Sequence, residues 1–223
     1  MPNRIVYQAS TSDEVHQCAY SILKYLEVYN LKPPADHSVV VYTNDPASLE
    51  LYGSFFSSFE LKNETSQPVQ EVLRKAAQGF EGNLLYLACN AYPVKPLDNF
   101  FTSVGNGTLY SSYSADQKSN GVPLALGFKT DRISLLPARI DGAHPGNFIA
   151  HYSDLKEFNT FLLYFFKRYQ EESVPNQVKL IHHIDAVSIQ KKRDAFNQLP
   201  FYIRWIRKAM GKGWSIGAHT QRV

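Results

Sequence analysis

Short apolar runs alternate along the first ninety residues with stretches in which apolar residues recur every three or four positions. The runs are rich in β-branched and aromatic residues, as strands are, and they cover Ile5–Ala9, Ser38–Thr43, Phe55–Leu61 and Leu84–Cys89. The stretches between them predict helices behind Thr11, from Pro46 to Leu51 and from Val69 to Phe80. Strands that alternate with helices predict an α/β fold in which a mostly parallel sheet is flanked by helices.

The start of the first helix carries the most detailed local pattern. Thr11 and Glu14 have the spacing of a capping box, in which each side chain accepts a hydrogen bond from the backbone of the other. Pro33 and Pro34 end the segment, because proline cannot continue the backbone ladder of a helix. Between these ends one apolar stripe follows the helical period: Val15, Cys18, Ala19, Ile22, Leu23 and Leu26.

Beyond Pro93 the pattern is less regular. It predicts a helical turn over 96–101, short strands over 124–128, 133–136 and 147–152, and helices over about 154–170, 176–183 and 188–209. These elements divide the chain into an α/β body (residues 1–152) and a helical, basic C-terminal appendage packed on it (residues 153–223).

The composition is that of a folded protein with a sizeable core, since 44% of the 223 residues are hydrophobic and 19% are charged. The two cysteines, Cys18 and Cys89, lie in apolar segments and predict reduced, buried thiols, which indicates a cytoplasmic protein. The longest apolar block, Phe161–Phe166, is far shorter than the ~20 residues of a spanning helix. We therefore expect a protein that is soluble or lies on a membrane surface.

Several segments, taken in order, resemble bacterial glycosyltransferases of the GT-A type, which have a Rossmann-like body and use a nucleotide-sugar donor and a divalent metal. The resemblance covers most of the chain. It rests on residues Arg4–Ala9, Val40–Pro46, Gly82–Leu87, Phe148–Lys156 and the basic tail Leu199–Lys208.

The family's metal motif is absent from this chain. The resemblance implies that the strand over 84–87 runs into an Asp-x-Asp pair, whose carboxylates hold Mn²⁺ or Mg²⁺ against the donor diphosphate. Here the matching positions are Ala88, Cys89 and Asn90. This implies a glycosyltransferase-like protein of cell-surface polysaccharide or lipid-linked sugar assembly with impaired or lost catalysis, and a metal only where a residual donor site persists. The alternative is a non-catalytic binding or scaffold protein that partners an active glycosyltransferase.

The resemblance also implies a set of nucleotide-sugar-binding residues. Tyr7, Gln8, Asn44 and Asp45 end the first two strands, where the family binds its donor, and Asn90 follows the fourth strand. Lys156 matches a lysine near the donor phosphates, and His151 matches a metal-ligating histidine. The alternative for Tyr7, Gln8, Asn44 and Asp45 is that they are ordinary turn residues after a buried strand. For Lys156 the alternative is a solvated surface charge, and for His151 a packed residue at a strand end.

Charge is distributed unevenly along the chain. Residues 189–223 hold eight basic residues and one acidic, whereas the rest holds fifteen basic and nineteen acidic. Aromatic residues are interleaved with this charge, as in helices that lie in a membrane interface. We expect this segment to contact either the anionic inner face of the cell membrane or a partner transferase. The alternative is that its aromatic residues pack against the α/β body. Nucleic acid is not expected, because no recognition motif accompanies the charge. The contact residues would be Lys191, Lys192, Arg193, Arg204, Trp205, Arg207 and Lys208.

Overall fold

The computed structural model describes residues 1–50, 52, 60–63, 67–106, 110–111, 125–136, 164–168 and 177–209. Its strands are β1 (Asn3–Ala9), β2 (His37–Thr43), β3 (Glu60–Asn63), β4 (Asn83–Leu87), β5 (Ala91–Pro93), β6 (Tyr110–Ser111), β7 (Ala125–Lys129) and β8 (Phe166–Arg168). Its helices are α1 (Ser12–Val28), α2 (Pro46–Glu50), α3 (Val69–Ala77), α4 (Asp98–Gly105), α5 (Gln177–Asn197) and α6 (Phe201–Ala209), with a 3₁₀ helix at Thr130–Leu135.

Six strands form one sheet in the order β3-β2-β1-β4-β7-β6. The first four run parallel, whereas β7 is antiparallel to β4 and β6 is antiparallel to β7. A separate antiparallel pair, β5 and β8, lies beyond the end of β4. The prediction of an α/β fold with a mostly parallel sheet and flanking helices is confirmed.

The sheet separates two hydrophobic clusters, because successive side chains of a strand point to opposite faces. Ile5, Tyr7 and Ala9 of β1 belong to a cluster with α1, α4 and the start of α5. Val6 belongs to the other cluster, together with α3. Burial of both faces explains why the parallel strands read as continuous apolar runs rather than as alternating ones.

The first helix agrees closely with its pattern. The Thr11 side chain accepts from the Glu14 backbone, the Glu14 side chain accepts from the backbone at Thr11, and the predicted apolar stripe is buried. Both cysteines are buried free thiols, as predicted. The helix after Pro68 is confirmed in place but ends at Ala77 rather than Phe80. Gly79 follows it at φ +66°, a left-handed conformation that favours glycine and turns the chain away from the helix.

Two short predicted elements are wrong. The run 133–136 forms part of a 3₁₀ helix rather than a strand. The pairing of β4 with β7 ends just before it, where Thr130 accepts from the Gly82 N–H at 3.1 Å and donates its own N–H to the Gly82 carbonyl at 2.9 Å. Phe166–Arg168, placed in a helix by its pattern, pairs with β5 as a strand. Short apolar runs fit either structure, so the pairing partner decides. The predicted strand over 147–152 and most of the predicted helix over 154–170 lie outside the described residues.

The C-terminal helices divide at a different point from the predicted one. A single helix, α5, runs through the expected break between His183 and Ser188, where the sequence has no glycine or proline. The break falls instead at Pro200, just before α6. Leu180 and Ile184 of α5 are buried in the cluster that contains α1. No helix in the described part of the chain is both long and apolar enough to cross a membrane.

An aromatic group surrounds His37 at the start of β2. Its Nδ1 lies 3.0 Å from the Tyr25 hydroxyl, and its ring packs edge-on against Phe101 with centroids 5.1 Å apart. Burial lowers the pKa of His37 below its ordinary value of about 6.5, although the Asp36 and Asp98 carboxylates act in the opposite direction. His37 is therefore held neutral in the folded chain.

This burial predicts a loss of stability in mild acid. As pH falls through about 6.5 the unfolded chain binds a proton at His37 while the folded chain does not, so the free energy of unfolding decreases until the lower folded pKa is passed. Urea denaturation between pH 7 and 5 should show a shallower decline for His37→Gln than for the original chain. Equal slopes in the two proteins would show that His37 titrates alike in both states.

Candidate functional site

The strand order reverses between β1 and β4. From β1 the chain moves outward to β2 and β3 on one side, and β4 then pairs with the other side of β1. In open α/β sheets a crevice forms at the carboxyl ends of the strands at such a point, because the connections diverge to opposite faces. We refer to the segments that follow β1 and β4 here, residues 8–14 and 88–91, as the switch-point edge.

Tyr7 and Gln8 lie just before the last residue of β1 and point to opposite faces of the sheet. Tyr7 is fully buried in the α1 cluster, and its hydroxyl lies 2.9 Å from the Ser21 hydroxyl. Burial raises the pKa of Tyr7 well above its ordinary value. The side chain therefore fixes α1 against β1 and presents no surface at the switch-point edge.

Gln8 lies on the α3 side of the sheet and is half-buried. Its Nε2 donates to the Gln67 carbonyl, just before α3. Its Oε1 is buried and has no hydrogen-bond partner among the described residues. Because Gln8 Nε2 already donates to a carbonyl, the atom that can still form a hydrogen bond is the acceptor Oε1.

The end of β4 turns at once into β5. The Ala91 N–H donates to the Ala88 carbonyl at 2.9 Å, and the Cys89 thiol donates to the Gln8 carbonyl at 3.0 Å. This thiol contact joins the two arms of the switch-point edge beyond their ladder, which ends at Val6 and Tyr86. Asn90 lies in the turn, and its buried Oδ1 is a second acceptor without a partner among the described residues.

These residues do not fit the divalent metal that the resemblance implies. Ala88 offers no ligand atom, Cys89 directs its thiol to a backbone carbonyl, and Asn90 offers one neutral oxygen. Mn²⁺ and Mg²⁺ favour several oxygen ligands including carboxylates. Within the described ranges, three or more His, Cys, Asp or Glu side chains never come together in a group able to hold a metal ion.

Glu14 occupies the N-terminus of α1. Its carboxylate accepts from the Ser10 N–H at 2.6 Å and from the Thr11 N–H at 3.1 Å. Free N–H groups at a helix start commonly bind phosphate, and here the chain's own carboxylate takes that position. The capping box was predicted, but its place at the switch-point edge depends on the pairing of β1 with β4.

Asp45 serves as a local cap at α2. Its carboxylate accepts from the Ser12 hydroxyl at 2.9 Å, from the Ser48 hydroxyl at 2.5 Å and from the Ser48 N–H at 3.2 Å. These hydrogen bonds lower the pKa of Asp45. Asn44, beside it, is exposed. Ser12 was not singled out by any sequence motif, because its role depends on the approach of α1 to α2.

The remaining predicted residues fall into two groups. His151 and Lys156 lie outside the described residues, so their roles stay predictions. On the C-terminal helices the backbones of Lys191, Lys192 and Lys208 are helical, but their side chains are not described. Arg193, Trp205 and Arg207 are exposed, and Arg204 is half-buried.

No family model matches this chain, and no curated protein matches it. Among solved structures, the galactosyltransferase LgtC bound to donor and acceptor sugar analogues is 11% identical, with a TM-score of 0.41, over 58% of each chain. The glycosyltransferase GlyE of Streptococcus pneumoniae TIGR4 is 12% identical, with a TM-score of 0.39, over 59% of this chain and 35% of its own. A glycosyltransferase involved in glycosylation of the major capsid of PBCV-1 is 12% identical, with a TM-score of 0.40, over 83% of this chain and all of its own.

These neighbours are glycosyltransferases, as the sequence resemblance implies. The chain spans about a third of the length of GlyE and about six tenths of the length of LgtC. At such identities and TM-scores the likeness assigns no residue role and no activity.

The capping box predicts a measurable contribution from Thr11. Thr11→Ala removes the acceptor of the Glu14 N–H and should lower the free energy of unfolding by about 1 kcal/mol in urea denaturation. Thr102→Ala is a matched control, since that hydroxyl only donates back to the Asp98 carbonyl within a helix. Its effect should stay within about 0.5 kcal/mol. A Thr11 variant as stable as the original would contradict the cap.

Proposed function

We propose that this chain is a glycosyltransferase-like protein that binds a nucleotide sugar at the switch-point edge without a divalent metal, with sugar transfer impaired or lost. It would act in the assembly of cell-surface polysaccharide or of lipid-linked sugars. The observation that carries the proposal is the pair of unpartnered, buried acceptors, Gln8 Oε1 and Asn90 Oδ1, at the reversal of strand order.

The charge at this edge favours one part of such a ligand. Gln8 and Asn90 offer acceptor oxygens, while Glu14 and Asp45 supply negative charge nearby. A diphosphate is itself an anionic acceptor and gains nothing from such groups, whereas hydroxyl groups donate to them. We therefore place the ribose or hexose hydroxyls at Gln8 and Asn90, with the diphosphate directed away from the start of α1.

Loss of catalysis follows from the same residues. Departure of a nucleoside diphosphate leaves a concentrated negative charge that a bound cation ordinarily stabilises. Ala88 and Asn90 leave no carboxylate to hold that cation. Binding without turnover is the expected behaviour of the described residues.

Isothermal titration of the full chain with UDP-, GDP- and TDP-sugars, each with and without Mn²⁺, tests the proposal. We expect one donor class to bind with an affinity that Mn²⁺ leaves unchanged. Asn90→Ala should weaken it about tenfold, the value of one hydrogen bond. Asn99→Ala, which removes an exposed amide on α4, should bind normally. Absence of binding in every combination, or binding that requires Mn²⁺, would contradict the proposal.

A second candidate is a non-catalytic binding or scaffold protein that partners an active glycosyltransferase at a membrane surface, and it is favoured by the surface of α6. Phe201, Tyr202, Trp205 and Ile206 are 75%, 64%, 64% and 46% exposed. Their spacing places them on one side of the helix, whereas Arg207 lies on the opposite side. An exposed aromatic face on a helix that also carries basic residues suits the headgroup region of an anionic bilayer, where the cytoplasmic leaflet is negatively charged.

Vesicle sedimentation of the full chain tests this second candidate. We expect binding to vesicles that contain phosphatidylglycerol and little binding to vesicles of pure phosphatidylcholine. Trp205→Ser with Ile206→Ser should abolish it, whereas Tyr164→Ser, which removes an exposed aromatic outside α6, should not. Equal sedimentation of the double variant and the original chain would exclude α6 as the contact.

A further inference from the structure

A polar cavity lies at the edge of the sheet opposite to the switch-point edge. It has a volume of about 310 Å³ and lies where β1 and β4 begin, beside α4. Its wall includes Asn3, Asp36, Asn83, Asp98, Phe101 and Gly105. The volume is at the lower end of the range for small-molecule sites. We call this space the amino-edge cavity.

Asn83 is the buried polar group of this wall. It is only 4% exposed, and its Nδ2 donates to Asn3 Oδ1 at 2.9 Å and to the Phe101 carbonyl at 3.4 Å. The Phe101 carbonyl can only accept, and Asn3 presents its oxygen here because its Nδ2 donates to Asp36 at 3.3 Å. The orientation of the Asn83 amide is therefore determined. Its Oδ1 is buried without a partner in the described part of the chain.

Two carboxylates complete the arrangement. Asp98 is held by the Tyr29 hydroxyl, which donates to its Oδ2 at 2.9 Å and itself accepts from the Leu97 N–H at 2.6 Å. Asp36 is held by Asn3. The described wall residues include no lysine, arginine or histidine, but they include Met1, whose α-amino group is the one basic group of this wall. The two carboxylates therefore outnumber the basic groups, and they lie beside an acceptor that lacks a donor.

We propose that the amino-edge cavity binds the ammonium or guanidinium group of a small organic cation. Such a group supplies several N–H donors together with positive charge, which matches Asp36, Asp98 and Asn83 Oδ1. Within the described ranges no third His, Cys, Asp or Glu side chain joins Asp36 and Asp98 in a group able to hold a metal ion. This site lies at the other end of the strands from the proposed sugar site and does not depend on it.

Calorimetric titration of the full chain with 1,4-diaminobutane tests the proposal. The diamine should bind, whereas 1,4-butanediol, which has the same length without charge, should not. Asp98→Asn should weaken binding at least about tenfold, because one charge-assisted hydrogen bond is lost. Glu71→Gln, which removes an exposed carboxylate outside the cavity, should have no effect.

Gly105→Ala provides a test that leaves the charge unchanged. A Cβ at this position would lie 3.6 Å from both amide atoms of Asn83, an ordinary contact distance, so the chain should fold. The methyl group should reduce diamine affinity severalfold while the melting temperature holds or rises, because alanine favours a helix over glycine. Equal binding of the diol, unchanged affinity in both variants, or binding of Mg²⁺ in place of the diamine would overturn the proposal.

Discussion

The parallel pairing of β1 with both β2 and β4 holds the centre of the sheet together and aligns the two ends of its strands. Its register sets Asn3 beside His37 and Asn83 at one end, and Ala9 beside Thr43 at the other. This register fixes the face of the sheet to which each β1 side chain points. A shift of one residue would turn Tyr7 toward the α3 face and Gln8 toward the α1 face. Both polar edges of the sheet follow from this register.

The two edges share one chemical character. At the switch-point edge Gln8 and Asn90 carry unpartnered oxygens beside the Glu14 carboxylate, and at the amino edge Asn83 does so beside Asp36 and Asp98. Both therefore favour ligands that donate hydrogen bonds, hydroxyl groups in one case and N–H groups in the other. The excess positive charge of the chain lies elsewhere, toward α5 and α6.

Much of the fold could be predicted from the sequence, because its signals are local. The capping box and stripe of α1 and the apolar runs of β1, β2 and β4 each depend on neighbours within a few residues. The strand identity of Phe166–Arg168 depends on pairing with β5, some seventy positions away, and no local signal reports it. Likewise, the sequence pattern could place Tyr7 and Gln8 near one strand end. Only the packing of α1 shows that the Tyr7 hydroxyl is hydrogen-bonded to Ser21.

A sugar nucleotide that binds at the switch-point edge without metal should be visible at the backbone amides of that edge. Amide chemical-shift mapping by NMR, with UDP-glucose, GDP-mannose and TDP-glucose added in EDTA-containing buffer, can detect it there. At least one donor should shift the amides of residues 8–11 and 88–91 more than any others. Shifts that appear there only after Mn²⁺ replaces EDTA, or shifts confined to other parts of the sheet, would contradict metal-free binding at this edge.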